Sequence, residues 1–205
     1  IVDATFAFDA CLNGKGRMCM ATNIWSSAAY EYTPAGNVSK ETKTIINERE
    51  SKLFTTAFTY DIMSNVTKTI HPDGSLISNT YDGMSRITKI QRADAVNTSL
   101  SDVVKKITYA PTGQASLIEY QNGTITTNTY DANQNYRLTQ TETTTPNTNP
   151  SFSGGLRPQQ FTYGAMLRNI SYTYDAIGNI TDVLDTSDTK TAHTAHYTYD
   201  MLSRL

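Results

Sequence analysis

The chain has 205 residues, of which 38% are hydrophobic and 18% charged, and its formal net charge is -2 at pH 7. Its 13 Tyr and 6 Phe are too many aromatic residues for a disordered chain. Basic residues are scattered, which argues against a nucleic-acid partner, and no stretch approaches the roughly 20 apolar residues of a membrane helix. Since Thr and Tyr favour strands, the composition predicts an all-β protein without a membrane span.

The first predicted hairpin contains both cysteines. Cys11 and Cys19 flank a segment that includes Gly14 and Gly16, and such glycines favour a hairpin loop. Cross-strand neighbours in a hairpin of this kind come within bridging distance. Two cysteines are too few for a disulfide scaffold or a complete zinc site. The sequence therefore leaves open a single disulfide or two small buried thiols.

An aromatic–X–aromatic–Asp motif repeats along the whole chain. Each copy leads to an apolar residue, through Gly or Ser in every copy except that at Tyr130, and four copies then reach Thr. Most copies are about 21 to 28 residues apart, which suits one supersecondary unit per copy, and one step is about 44 residues. The anchor aromatic residues are Phe8, Tyr32, Tyr60, Tyr81, Tyr109, Tyr130, Tyr174 and Tyr199.

The copy from Tyr172 to Thr181 shows what one unit does. Tyr172 and Tyr174 are two residues apart, so both lie on one face of a strand. Asp175 begins a turn, where its carboxylate can accept a hydrogen bond from the backbone two residues on. Gly178 suits the left-handed position after a type I turn. Each copy therefore predicts a β-hairpin with a short, tight turn.

Three copies have serine where others have glycine. A serine in the left-handed conformation costs roughly 1 kcal/mol, because its Cβ approaches the backbone too closely. The sequence therefore predicts either this strain or a shifted turn at the three serines. The serines are Ser64, Ser85 and Ser203, and the corresponding glycines are Gly36, Gly113 and Gly178.

The longest step between copies, from Tyr130 to Tyr174, has a distinct composition. It is rich in Thr, Asn, Pro and Gly, which is typical of irregular structure. The sequence predicts an irregular loop or a degraded repeat over residues 141–160. The copy at Tyr130 also has extra residues in its turn.

The motif Tyr-X-Tyr-Asp-X-X-Gly-[Asn/Arg]-aliphatic-Thr, as it stands in Tyr172 to Thr181, resembles the YD repeat of RHS proteins. The segment from Phe8 to Met18 also resembles an RHS unit, and the resemblance covers nearly the whole chain. It implies a ribbon of repeated β-hairpins that spirals into a hollow cocoon. Bacterial RHS shells enclose a C-terminal toxin, as in Tc toxin complexes and polymorphic effectors, whereas animal teneurins use a similar barrel in cell adhesion.

The resemblance also implies a processing step. Bacterial shells commonly end in a self-cleaving segment with an Asp-Pro-X-Gly-Leu-like signature, which this sequence does not contain. We expect the cleaving aspartates and the toxin to lie elsewhere. The chain starts without Met and stops inside a repeat, so we expect residues 1–205 to be a shell segment of a larger protein, stable only within the complete shell.

The candidate catalytic and metal-binding side chains have simpler structural interpretations. His193 and His196 are three apart, so in a strand they face opposite sides, and His71 is distant. Aspartates recur in the turns, which indicates a structural role rather than a catalytic carboxylate pair. These aspartates are Asp61, Asp82, Asp131, Asp175 and Asp200.

The Asn-X-[Ser/Thr] sites are also a consequence of the repeat. The sites are Asn37, Asn65, Asn97, Asn122, Asn169 and Asn179. Three of them come from the Asn-aliphatic-[Ser/Thr] step of the motif, so we do not interpret them as glycosylation sites. The sequence has no Gly-X-Ser-X-Gly elbow and no Gly-rich phosphate loop. It therefore predicts no catalytic, cofactor-binding or metal site, and a protein that is not an enzyme.

The leading functional hypothesis is a structural shell segment that encapsulates a C-terminal toxin or effector in a larger secreted RHS protein. The alternative is a cell-surface adhesion or glycan-binding module, whereas a hydrolase finds no support in the motifs. Rows of tyrosine suit either a ladder between hairpins or a glycan surface, and their constant position favours the ladder. The expected partners are the rest of the shell and its cargo, and then a cell-surface glycan or secretion-system components.

Overall fold

The computed structural model describes residues 4–46, 50–146, 164–188 and 190–204. The chain divides into two compact units, Ile1–Asp102 and Val103–Leu205. Within the described residues, all regular structure is β-strand except for one 3₁₀ turn, Ala132–Gln134. The all-β prediction is therefore confirmed.

The first unit is an antiparallel sheet in which each strand pairs with the next strand in the sequence. Its connections are hairpins, as the repeat predicts. Its strands are β1 (Thr5–Phe8), β2 (Met18–Thr22), β3 (Ser26–Tyr32), β4 (Val38–Ile46), β5 (Ser51–Tyr60), β6 (Val66–Ile70), β7 (Leu76–Tyr81) and β8 (Ile87–Ala93).

The second unit follows the same plan, with each strand antiparallel to the next one. Strand β9 already begins in the last residues of the first unit. The strands are β9 (Ser101–Tyr109), β10 (Ala115–Tyr120), β11 (Ile125–Asp131), β12 (Arg137–Thr144), β13 (Met166–Tyr174), β14 (Ile180–Asp185) and β15 (His193–His196).

Successive hairpins place their turns alternately at the two ends of the strands, so each unit has two edges of turns. One edge, which we call the tyrosine–aspartate edge, has the turns that follow the anchor tyrosines. We call the other the opposite edge. On the tyrosine–aspartate edge of the first unit, three turns occupy residues 33–37, 61–65 and 82–86. The opposite edge of that unit has connections of different lengths, such as 71–75 and 94–100.

The turns of the tyrosine–aspartate edge have the predicted geometry. In the β5–β6 turn, Ser64 N donates to Asp61 O at 3.1 Å, and Asp61 N donates to Asn65 O at 3.0 Å. This is a type I turn followed by a left-handed residue, and the register shifts at Thr59/Tyr60 where the strand resumes. The turns at residues 82–86, 175–179 and 200–204 repeat both backbone bonds.

The serines occupy the left-handed position itself. The φ angles of Ser64, Ser85 and Ser203 are 66°, 60° and 57°. The first of the two predicted alternatives, local strain in an unshifted turn, is therefore correct. The turn between β11 and β12 differs as its extra residues predict, since it contains the 3₁₀ turn followed by left-handed Asn135 and Tyr136.

The predicted irregular segment, residues 141–160, starts later than expected. Strand β12 continues to Thr144, because residues 140–144 pair with β13. Composition did not reveal this pairing, since a Thr-rich run is equally compatible with a strand and a loop. Residues 147–160 of the predicted segment lie outside the described residues.

Few of the described side chains are fully buried. The buried apolar residues are Cys19, Tyr32, Ala93 and Val104, and the buried polar ones are Ser75 and Thr144. A sheet that buries so little must depend on cross-strand pairs and on hydrogen bonds between neighbouring hairpins. One repeated set of hydrogen bonds between neighbouring hairpins lies at the tyrosine–aspartate edge.

Candidate functional site: the tyrosine–aspartate edge

Five of the anchor tyrosines join their hairpin to the one before it. Each of these five hydroxyls donates to the backbone carbonyl at, or one residue after, the start of the preceding hairpin's returning strand. This confirms the predicted ladder between hairpins. The bonds are Tyr32 to Met18 O (2.6 Å), Tyr60 to Val38 O (2.7 Å), Tyr81 to Val66 O (2.9 Å), Tyr130 to Ala115 O (2.9 Å) and Tyr174 to Leu138 O (2.6 Å).

Burial supports the role of these hydroxyls as donors. It raises the pKa of the Tyr60, Tyr130 and Tyr174 phenols above the ordinary value, because the phenolate would lose hydration. The phenols stay protonated and keep donating over the whole physiological range. The hydrogen bonds of these three hydroxyls are therefore insensitive to pH near neutrality.

The turn aspartates hold the backbone of their own turns. Asp61 Oδ1 accepts from Met63 N and Asn65 N, each at 2.9 Å, while Asp61 Oδ2 accepts from Asn65 Nδ2. These bonds, with the Asn65 side chain first, lower the pKa of the Asp61 carboxyl. In the next hairpin, the Arg86 guanidinium is the main group that lowers the pKa of Asp82. The structural role predicted for the aspartates is confirmed, and Asp131, Asp175 and Asp200 repeat it.

A third contact links the two strands within two of the hairpins. The Thr between the two aromatic residues contacts the Thr that follows the aliphatic residue, beside the register shift. The two hydroxyl oxygens are 3.1 Å apart in Thr59 and Thr67, and 2.8 Å apart in Thr173 and Thr181. Each residue type of the motif thus has its own partner. Tyr binds the preceding hairpin, Asp binds the backbone of its own turn, and Thr binds the opposite strand.

The two cysteines form a disulfide in the first hairpin. Gly14 lies against both sulfur atoms, and a Cβ added there would be 2.5 Å from Cys19 Sγ. Glycine is therefore required for the loop to cover the disulfide. The sequence left the choice between bridge and thiols open because the register of the hairpin decides it, and spacing alone does not.

His193 and His196 are both exposed, as expected for surface histidines, but His196 has a partner that the sequence did not reveal. His196 Nδ1 lies 2.6 Å from Asp182 Oδ1, across the β14–β15 pair. Hydrogen bonds from Thr173 and then from His196 lower the pKa of the Asp182 carboxyl to about 2. His71 lies at the start of the β6–β7 turn, where its backbone NH donates to Ser75 O. Only the strand register brings Asp182 and His196 together.

The rest of the described residues were compared with the patterns of a metal site, a membrane helix and a ligand cavity. They contain no group of three or more His, Cys, Asp or Glu side chains that could hold a metal ion. None of the helical structure among them is long and apolar enough to cross a membrane. An open cavity of about 210 Å³ lies over β2–β4, lined by Ala21, Ala28, Lys43 and Ile45 among others.

The chain resembles known proteins in structure alone. No family model matches the chain, and no curated protein matches it. A crystal structure of TcdB2-TccC3-Cdc42 is similar, with a TM-score of 0.80 and 16% identity over 98% of this chain and 10% of that chain. A structure of the Photorhabdus luminescens Tc holotoxin pore has a TM-score of 0.79 with the same identity and coverage.

A crystal structure of TcdB2-TccC3 is similar over 89% of this chain and 9% of that chain, with a TM-score of 0.73 and 16% identity. The chain thus spans about a tenth of the length of the chains it matches. At 16% identity the three matches show the fold alone. This chain has the fold of a segment of these Tc toxin chains, and that fold agrees with the repeated antiparallel hairpins that the resemblance to the RHS/YD-repeat family implies.

Proposed function

We propose that the chain is a segment of an RHS shell that encloses a C-terminal toxin or effector within a larger secreted protein. The observation that carries the proposal is the tyrosine ladder, in which every described anchor hydroxyl bond joins one hairpin to its predecessor. A contact of this kind can be repeated along a ribbon of any length. It suits a wall that is built from many equivalent hairpins.

The likeness to the Tc toxin chains supports the shell role at the level of fold. The partners that we propose are further shell hairpins and an enclosed cargo. The composition of the tyrosine–aspartate edge agrees with this, since its polar groups are largely used within the sheet. This suits a shell wall, because polar groups without a hydrogen-bond partner at the edge of a sheet would invite unspecific pairing with other chains.

We also propose that the segment itself catalyses no reaction. Its recurrent carboxylates are bound to backbone NH groups of their own turns, which leaves them poorly placed for acid–base chemistry. Their pKa values are lowered rather than raised, whereas a general acid needs a raised pKa. Any cleavage of the parent protein is assigned to residues outside this segment.

The Cys11–Cys19 disulfide supports a secreted location. Stable disulfides form in oxidising environments and are rare in the reducing cytosol. The proposal is therefore that the parent protein leaves the cytosol of a bacterial cell, to be secreted or held at the surface.

The test is the intact mass of the native parent protein together with its resistance to protease. We expect a separate polypeptide beyond the repeats that remains associated with them and resists protease until the shell is denatured. Protection should disappear in parallel with unfolding of the repeats. A parent protein with no separable domain, or with a domain cleaved as fast as the free domain, contradicts encapsulation.

A second candidate, an adhesion or glycan-binding module, is favoured by three exposed aromatic residues. Phe6, Phe8 and Trp25 are each more than half exposed, and aromatic faces of this kind stack on sugar rings and on other apolar ligands. A glycan array with the parent protein tests it. Binding that the Trp25→Ala variant loses, in a parent without an enclosed domain, selects adhesion over encapsulation.

A further inference from the structure

The residue that follows the left-handed turn position reaches out of its own hairpin and touches the next one. This happens at five junctions between neighbouring hairpins, three in the first unit and two in the second. The junctions fall into two kinds, according to whether the reaching residue is Arg or Asn. The five pairs are Arg17 with Gly36, Asn37 with Ser64, Asn65 with Ser85, Arg137 with Gly178 and Asn179 with Ser203.

The arginine junctions place a guanidinium over the next turn and its anchor tyrosine. Arg17 Cζ lies 5.6 Å from the centre of the Tyr32 ring, and Arg137 Cζ lies at the same distance from that of Tyr174. A Cβ at Gly36 would lie 2.9 Å from Arg17 Cζ and still closer to Nη2. The guanidinium thus occupies the volume that a side chain at this turn position needs.

Gly178 repeats this arrangement in the second unit. Its φ angle is 105°, and an added Cβ would lie 2.8 Å from Arg137 Cζ. Arg137 Nη1 also donates to Asp175 O in that turn, at 3.4 Å. Glycine is needed here for two reasons, the left-handed backbone and the guanidinium above it.

The asparagine junctions use a hydrogen bond instead. Asn37 Nδ2 donates to Ser64 Oγ at 2.8 Å, and Asn65 Nδ2 donates to Ser85 Oγ at 3.0 Å. The second unit repeats the bond from Asn179 Nδ2 to the hydroxyl of Ser203, at 3.4 Å. Each serine keeps the strained left-handed backbone and gains a partner that glycine lacks.

We infer that these two residues form a matching rule between neighbouring hairpins, in which Arg requires Gly in the next turn and Asn selects Ser. Five described junctions obey the rule without exception. The β11–β12 turn, with its 3₁₀ geometry, lies outside the rule as a receiving turn, although its own Arg137 obeys the rule toward Gly178.

The physical basis of the rule is that each mismatch loses something specific. A serine at the turn position beside an arginine displaces the guanidinium from the tyrosine ring. The serine also keeps the strained left-handed backbone without gaining the hydrogen bond that an asparagine would donate. Glycine beside an asparagine leaves the amide without its hydroxyl partner. Both mismatches lower the stability of the junction rather than of one hairpin alone.

The rule gives the sheet a means of rejecting a wrong neighbour. All hairpins offer similar backbone edges, so backbone pairing alone does not distinguish them. If the β3–β4 hairpin were skipped, Arg17 would meet Ser64, which is a mismatch. The rule separates two classes of hairpin rather than every hairpin from every other. It applies whether or not the sheet encloses a cargo.

The test is a double-mutant cycle in the whole parent protein, read by hydrogen exchange of the turn amides. Gly36→Ser creates a mismatch with Arg17, and Arg17→Asn creates the other mismatch with Gly36. We expect each single variant to raise exchange of the 33–37 turn about fivefold to tenfold. The double variant Arg17→Asn with Gly36→Ser restores the matched pair, so exchange returns to within about twofold of the wild type.

Gly16→Ser is the matched control. Gly16 is also left-handed, with φ 75°, but a Cβ there meets nothing within 4 Å. The Gly16→Ser variant measures the effect of a left-handed serine alone. Gly36→Ser should raise the exchange of its turn amides by more than Gly16→Ser does. The reverse cycle, Asn65→Arg with Ser85→Gly, repeats the test should the first variants not fold. If the effects of the single variants simply multiply in both cycles, there is no coupling and the rule is wrong.

Discussion

The tyrosine–aspartate edge and the opposite edge are built from the same strands but follow different principles. On the first, neighbouring turns are joined by directional contacts, such as the Asn37–Ser64 and Asn65–Ser85 hydrogen bonds. On the opposite edge of the first unit, the space beside Gly74 is filled by the Ala95 side chain of the next connection. An apolar contact tolerates changes in loop length, whereas a hydrogen bond between two turns does not. The constant turn geometry is therefore required where neighbouring turns bond to each other.

The largest expected effect comes from Tyr32, which is 9% exposed and bonds the preceding hairpin. We expect Tyr32→Ala to destabilise the β3–β4 hairpin by about 3 kcal/mol, because it leaves a cavity and an unpaired Met18 carbonyl. Hydrogen exchange of the β3 and β4 amides measures it. Tyr32→Phe should cost about 1 kcal/mol, since it removes the hydroxyl alone. An effect no larger than that of exposed Phe8→Ala contradicts the ladder.

Removal of the disulfide is the next largest change. We expect Cys11→Ser with Cys19→Ser to destabilise the first hairpin by about 2 to 3 kcal/mol, because the open loop gains conformational freedom in the unfolded state. Exchange of the β1 and β2 amides gives the value. Reductant should loosen the wild type in the same way and leave the double-serine variant unchanged. If reductant leaves the exchange of the wild-type β1 and β2 amides unchanged, the disulfide does not stabilise the first hairpin.

An insertion compares the two edges directly. Two glycines between Ile62 and Met63 should cost about 2 kcal/mol, because the displaced turn loses the hydrogen bonds of Ser64 to Asn37 and of Asn65 to Ser85. The same insertion between Ser99 and Leu100, on the opposite edge, should cost less than about 0.6 kcal/mol, since a slightly longer loop changes closure entropy little. Urea unfolding of the parent protein gives both values, and equal costs would remove the distinction between the edges.

Acid should loosen the tyrosine–aspartate edge. The pKa of Asp61 is lowered in the fold by hydrogen bonds from Asn65, so the carboxylate stabilises the turn above its ordinary pKa of about 4. That stability is lost as the pH falls through the lower pKa of the folded state. Exchange of the 61–65 turn, corrected for intrinsic rates, should rise below about pH 4. The Asp61→Asn variant is the control, and an identical acid response in that variant contradicts the assignment.

The smallest effects are expected from exposed ion pairs on both edges. Lys40 and Glu31 are 3.0 Å apart near the tyrosine–aspartate edge, and Arg92 and Asp94 are 2.7 Å apart at the opposite one. Lys40→Ala and Arg92→Ala should each cost about 0.5 kcal/mol or less, because water screens exposed charges. Thermal unfolding in low and high salt measures them. If either variant loses more stability than Tyr32→Phe, the exposed ion pairs contribute more to stability than the hydroxyl bonds of the tyrosine ladder.

The repeat predicted the hairpins and the chemistry of their turns. The spacing of two between Tyr172 and Tyr174, the turn position of Asp175 and the left-handed position of Gly178 are local properties, and local sterics and hydrogen bonding determine them. For Ser64 the motif left two alternatives, strain or a shifted turn, and the structure has the left-handed backbone. The predicted start of the irregular segment was wrong, because Thr141 to Thr144 belong to a strand through their pairing with β11 and β13.

The sequence by itself determined an all-β chain of repeated hairpins, the residues of each turn and the ladder position of the tyrosines. The tertiary structure alone decided what depends on the register between paired strands. It chose the disulfide over two thiols, placed His196 against Asp182, and set each reaching Arg or Asn on the next turn. A motif determines the conformation of its own turn, but side chains on paired strands or neighbouring turns meet only when backbone pairing fixes their alignment. For this reason the matching of Arg with Gly and Asn with Ser became visible only in the folded sheet.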